Sequence, residues 1–242
     1  LELGGYSGVV GTTLGVDQFS GLGYVEITFK PGAGTTIDKA SLYDGAAEIE
    51  VILADGSQLV IAADPETQAG DLVGTNTYRY DIKGGTAVAG VATVRLLAGT
   101  VTDDAGTTNL QTDTKITLAR PTATATNVNN GGAFFQEDLN KAKADDQYFE
   151  FDLAAATKSG TVDFSTLSAS DLILTITDKN GAPVSGITIT SVSQVQGTTK
   201  VRFFYTGSFA VASLADYNQV TLSLAQGAFK DTAGNDSAAT SL

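Results

Sequence analysis

Apolar and polar residues alternate along short stretches of this chain. In YVEITFK (24 to 30), Val25, Ile27 and Phe29 alternate with Tyr24, Glu26, Thr28 and Lys30. Successive side chains of a strand point to opposite faces, so a period of two predicts a strand with one face in a core. QYFEFDL (147 to 153) repeats the pattern with Phe149, Phe151 and Leu153 inward. The same reading predicts strands at 49–53, 58–63, 77–83, 91–97 and 114–119 in the first half, and at 172–177, 187–193, 199–205 and 219–224 in the second. Turn signals such as ADGS and DKNGAP separate them, and helical periodicity is nearly absent.

The two halves carry one pattern twice. TIDKASL (36 to 42) falls on TVDFSTL (161 to 167) at an offset of 125, and VTDDAGTTN (101 to 109) falls on FKDTAGNDS (229 to 237) at 128. In the second pair Asp103, Ala105 and Gly106 match Asp231, Ala233 and Gly234. A near-constant offset implies a duplicated unit of roughly 120 residues. Six or seven short strands per unit predict an all-β protein of two tandem immunoglobulin-like antiparallel β-sandwiches, over 1–120 and 121–242. ARPTATATNVNNGG (119 to 132) reads as a short extended linker, because its Pro and Thr disfavour regular structure, with the boundary near Pro121. In the first copy the acidic loop is followed by a closing strand, TKITLA. The second copy reaches Leu242 before the equivalent strand is complete, which reads as truncation of a longer array. The sharper reading is an open edge completed by another chain.

Composition narrows the possible functions. Hydrophobic residues make up 42% of the chain, enough for substantial cores, while 14 basic against 27 acidic residues give a net charge of -13. A nucleic-acid backbone or an anionic membrane surface would repel such a protein. The chain has no Cys, His, Met or Trp, which excludes disulfides, thiolate and imidazole metal sites, and Ser-His or Cys-His catalysis. No apolar run is long enough to span a membrane. A first residue other than Met reads as a processed product or an excerpt. Acidity together with Thr, Gly, Ala and Ser enrichment suggests an exported bacterial surface protein.

VDFSTLSASDLILTITDKNGAPVSG (162 to 186) followed by VTLSLAQGAFKDTAGND (220 to 236) resembles the bacterial Ig-like repeats of large surface proteins, including S-layer proteins and giant secreted adhesins. In that family a segment ending in Asp leads into a strand, and an Asp-x-Ala-Gly-Asn loop joins the last two strands. The resemblance implies an extracellular location and a structural role, with neighbouring repeats or subunits of the same protein as partners. These are motifs of a scaffold and carry no chemistry of their own.

Three kinds of site remain to be weighed. Asp231, Asn235 and Asp236 could supply three oxygens to Ca²⁺, which needs six to eight, although the spacing is not that of an EF-hand. For the loop alone the simpler reading is a turn in which Asp231 accepts hydrogen bonds from backbone amides, Gly234 takes a positive φ and Asn235 tolerates the same region. In an Ig-like sandwich this loop lies at the end where the chain enters, so these residues would face Glu137, Asp138, Asp145 and Asp146. The expectation is a calcium ion at the interdomain junction, with Lys141 and Lys143 as the alternative means of neutralising the acids. Because Asn235 and Asp236 are replaced by Thr107 and Thr108 in the first copy, cation binding would be an addition of the second. For catalysis, Asp145 and Asp146 are adjacent and would point to opposite faces of an extended segment, a poor pair for glycoside hydrolysis, so no enzyme is expected. For ligands, Tyr24, Tyr78, Tyr80, Tyr148 and Tyr205 sit in predicted strands and could stack on sugars, although core or edge packing is the simpler role. Phe134 and Phe135, beside the linker, are expected to pack between the two sandwiches. A structural and interaction module is therefore expected, with a carbohydrate- or peptide-binding adhesin module as the alternative.

Overall fold

The computed structural model describes residues 2–3, 13–66, 76–128, 132, 139–141, 146–209 and 218–242. The protein is mostly β-strand, and it divides into two compact units, Leu1–Ala119 and Arg120–Leu242.

Unit 1 contains β1 (Glu2–Leu3), β2 (Thr13–Gly15), β3 (Tyr24–Lys30), β4 (Ile49–Ile52), β5 (Gln58–Ile61), β6 (Thr77–Gly84), β7 (Gly90–Leu96) and β8 (Thr112–Ala119). They form one sheet in the order β1-β3-β6-β5-β4-β7-β8-β2. The alternation in β3 places Val25, Ile27 and Phe29 in the core, where they meet Val51, Val94, Leu96, Ile116 and Leu118 from β4, β7 and β8. Burying a side chain of this size stabilises by about 1.5–3 kcal/mol. One sheet can supply both walls because β5 pairs with β4 on one side and β6 on the other, with a register shift between Val60 and Ile61 where the sheet turns. A short helix, α1 (Val16–Leu22), buries Val16 and Phe19 and ends at Gly23 with φ 72°. Two apolar residues three apart in seven positions leave too little periodicity to be read as a helix.

Unit 2 contains β9 (Thr122–Ala125), β10 (Tyr148–Ala154), β11 (Val162–Asp163), β12 (Leu172–Asp178), β13 (Ile187–Gln194), β14 (Lys200–Gly207), β15 (Asn218–Leu224), β16 (Lys230–Asp231) and β17 (Thr240–Ser241). A four-stranded sheet, β13-β14-β10-β9, and a three-stranded sheet, β12-β15-β17, enclose one core. The first contributes Phe149, Phe151, Phe203 and Tyr205, and the second Leu172, Ile176, Leu222 and Leu224. Here β13 pairs with β14 alone among the described residues, so the two walls stay separate and the unit is sandwich-like.

Residues 122–125, expected to be linker, form β9 instead. Ala125 pairs with Phe151 and Thr122 with Ala154, and Ala123 is buried. Thr-Ala-Thr-Ala is itself a period-two pattern with a β-branched residue at every second position, and Pro121 stands just before the strand, where no ladder hydrogen bond is lost.

The internal repeat extends to hydrogen-bond register. Leu96 of β7 pairs with Ile49 and Thr112, and Leu224 of β15, 128 positions later, pairs with Leu172 and Thr240. β17 thus occupies the place in unit 2 that the first two residues of β8 occupy in unit 1.

Candidate functional site

The acidic loops of the two units are built alike. In unit 1 the Asp103 Oδ1 accepts hydrogen bonds from Ala105 N–H (3.1 Å) and Thr107 N–H (2.8 Å), and Gly106 N–H donates to the Asp103 carbonyl (2.8 Å). In unit 2 the Asp231 Oδ1 accepts from Ala233 N–H (3.1 Å) and Asn235 N–H (3.0 Å), and Gly234 N–H donates to the Asp231 carbonyl (2.9 Å). Gly106 and Gly234 take φ of 78° and 86°, the left-handed region that a side chain resists.

Each loop is also clasped to a second segment. Ile37 bridges Asp103 and Val162 pairs with Asp231, offset by 125 and 128 as the sequence motifs are. Asp104 N–H donates to the Thr36 carbonyl and Thr232 N–H to the Thr161 carbonyl, both at 2.9 Å. Thr102 N–H donates to Ser41 Oγ and Lys230 N–H to Thr166 Oγ1, both at 3.0 Å. Those two hydroxyls donate onward to the carbonyls of Asp38 and Asp163.

This geometry decides what the loop carboxylate can do. Asp231 is buried, and its Oδ2 takes Ala156 N–H (3.2 Å) as well as the Asn235 amide (3.0 Å), which also reaches Oδ1. Asn235 is fully buried, and Asp236 is turned to the Lys230 ammonium at 2.5 Å. Oxygens engaged in this way do not fit a Ca²⁺ ion, which needs six to eight free to converge on it. Among the described residues no three His, Cys, Asp or Glu side chains are grouped to hold a metal. Glu137, Asp138, Lys143, Asp145, Phe134 and Phe135 lie outside the described residues, while Asp146 and Lys141 are both exposed.

The tyrosines divide by depth. Tyr78, Tyr80 and Tyr205 are core residues, and the Tyr205 hydroxyl, pushed up to about 12 by burial, donates to the Leu139 carbonyl at 2.6 Å. Tyr24 and Tyr148 are half-buried and belong to a second repeated constellation that sequence reasoning missed. The Arg79 guanidinium lies 3.9 Å from the Tyr24 ring centroid and bonds Glu26 at 2.7 Å, while Arg202 lies 4.2 Å from the Tyr148 ring and bonds Glu150 at 2.9 Å. Glu26 faces Arg79, and Glu150 faces Arg202, directly across a strand pair. The signal was present as Tyr-x-Glu at 24 and 148, but pairing it with an Arg requires the register of β6 and β14. Lys200 (2.8 Å), Arg202 and Thr126 hold the Glu150 carboxyl down at about 2 despite its burial.

No helix among the described residues is long and apolar enough to cross a membrane. No family model, curated protein or solved structure matches the chain.

Proposed function

We propose that this chain is a pair of immunoglobulin-like β-sandwich repeats serving as a structural and interaction module of an exported bacterial surface protein, without catalytic activity. The observation that carries the reading is the duplicated clasp. Asp103 and Asp231, the acids that looked most like site residues, each commit Oδ1 to two backbone N–H groups of their own loop, while Oδ2 accepts from Thr35 Oγ1 in unit 1 and from Ala156 N–H and the Asn235 amide in unit 2. A feature repeated down to its hydrogen bonds supports selection for a stable, stackable unit. The family resemblance of residues 162–186 and 220–236 points the same way and supplies the surface location, with neighbouring repeats or subunits as partners.

The adhesin alternative would use exposed aromatics or loops to hold a carbohydrate or peptide. Of the strand tyrosines, Tyr24 and Tyr148 are the two outside the core, and in both an arginine covers a ring face on which a sugar could stack. The test is a glycan and peptide array run beside electron microscopy of the concentrated protein. Self-association with no array hit is expected, and saturable binding of one glycan or peptide class would overturn the scaffold reading.

A further inference from the structure

Glu48 precedes β4 and falls, with Glu50, on the positions that alternation assigns to the polar side. Glu50 behaves accordingly: it is half-buried and accepts from the Gln58 amide at 3.1 Å. Glu48 instead turns inward and is 0% exposed. Neither of its carboxyl oxygens has a hydrogen-bond partner, and neither does the hydroxyl of Tyr80, also 0% exposed, which lies against it on β6 without reaching hydrogen-bond geometry.

The titratable groups facing the pair are Asp44 on the preceding loop, Asp64 on the segment after β5, and Tyr43 and Tyr78 beyond Tyr80, with no cation among them. Asp44 and Asp64 are themselves engaged by the backbone N–H groups of Ala46 (2.8 Å) and Gly45 (2.9 Å). A charged carboxylate in this place would be desolvated, unpaired and surrounded by like charge, so the neutral acid is strongly preferred. Burial, reinforced by the charges of Asp44 and Asp64, pushes the Glu48 carboxyl up to about 8.

Unit 2 supplies an internal control. Asp171 stands where Glu48 stands, immediately before the residue that pairs with Leu224. Its carboxylate lies outside the core and accepts from Ser168 N–H (2.6 Å) and Ser168 Oγ (2.8 Å). The same position is therefore a surface cap in one unit and a buried acid in the other.

We propose that Glu48 is a proton-dependent lock on unit 1: its neutral carboxylic acid seats the 43–48 loop against Tyr80, and loss of the proton drives the carboxylate to water and frees that loop, while unit 2 is unaffected. Residues 43–47 are already exposed, so the way out is short. The unfolded chain releases this proton near 4.5 and the folded unit near 8, so the folded state binds more protons between those values. The contribution of Glu48 to unit 1 is then fully present below 4.5, falls as pH rises through the window by up to about tenfold in the folded-to-unfolded ratio per pH unit, and is flat above it.

The test uses the full chain. Carboxyl ¹³C NMR of Glu48 is expected to titrate with a midpoint above about 6.5, together with the backbone signals of 43–48 and without those of 168–172. Thermal melting of Glu48→Gln between pH 5 and 8.5 is expected to lose the decline seen in the parent. A midpoint at or below about 6.5, titration without movement of 43–48, or an unchanged decline in E48Q would each overturn the proposal. If E48Q does not fold, titration of the unsubstituted chain decides alone.

Discussion

Replacing Asp231 by Ala perturbs the clasp where it is deepest. The carboxylate accepts five hydrogen bonds, from Ala156 N–H, Ala233 N–H, Asn235 N–H and twice from the Asn235 amide. Ala233 is exposed and water can replace its bond, but Asn235 is fully buried and Ala156 nearly so. Three buried donors thus lose this acceptor: Asn235 N–H, its side-chain amide and Ala156 N–H. An unsatisfied buried donor costs roughly 1–3 kcal/mol, so with partial relaxation D231A should destabilise unit 2 by about 3–5 kcal/mol. The matching change in unit 1 is the control. Ala105 and Thr107, which donate to Asp103, are exposed, so D103A should cost only about 1–2 kcal/mol. Urea unfolding of the full chain, with hydrogen exchange assigning each transition to its unit, measures both. Equal losses in the two variants, or a D231A loss below about 0.5 kcal/mol, would refute the argument from burial.

Glu150→Gln should lower stability at pH 7 by about 1–2 kcal/mol, the shift being discounted because Lys200 and Arg202 are more than a third exposed. Since the Glu150 carboxyl is held down at about 2, its contribution is present above pH 4.5 and lost as pH falls through about 2, so acid titration of E150Q should lack that loss. Gly207→Ala should cost more than about 3 kcal/mol, because a Cβ there would lie 1.7 Å from the Gly186 carbonyl oxygen at φ 109°, whereas Gly181→Ala, at φ 83° with open space around it, should cost about 1 kcal/mol; chemical denaturation compares the two. Isothermal titration with Ca²⁺, paired with melting in chelator, should show no saturable heat and an unchanged midpoint. One-to-one binding would restore calcium to the account and move its ligands away from the clasped Asp231.

The strands were legible in the sequence because each copy buries one face. Val25, Ile27 and Phe29, and Phe149, Phe151 and Leu153, announce themselves by alternation, and all are buried. The repeat was legible because its turn chemistry, Asp-x-Ala-Gly, recurs at a fixed offset. What stayed hidden depended on partners distant in sequence. Glu150 alternates with phenylalanines as an outward residue should, yet it is buried beneath Lys200 and Arg202, whose approach is set by the register of β14. Glu48 sits in the same phase as Glu50 and only the path of the preceding loop turns it inward. β9 was masked by Pro121 at its edge, a helix and strand breaker that here merely precedes the strand. The turn itself was legible, since a carboxylate followed by Ala and Gly suits backbone N–H donors and a glycine at positive φ, as Asp231 and Gly234 show; what was not legible is that Ala156 N–H and the Asn235 side chain would take up the other carboxylate oxygen.

A structural module of two separately stable clasped units should unfold one unit at a time under load, and pulling the full chain from its ends in a single-molecule force experiment tests the proposed function most directly. Two discrete unfolding steps are predicted, each releasing a contour length on the order of 400 Å for about 120 residues. D231A should lower the force of one step and leave the other unchanged. A smooth extension without steps, or two steps both indifferent to D231A, would contradict the account.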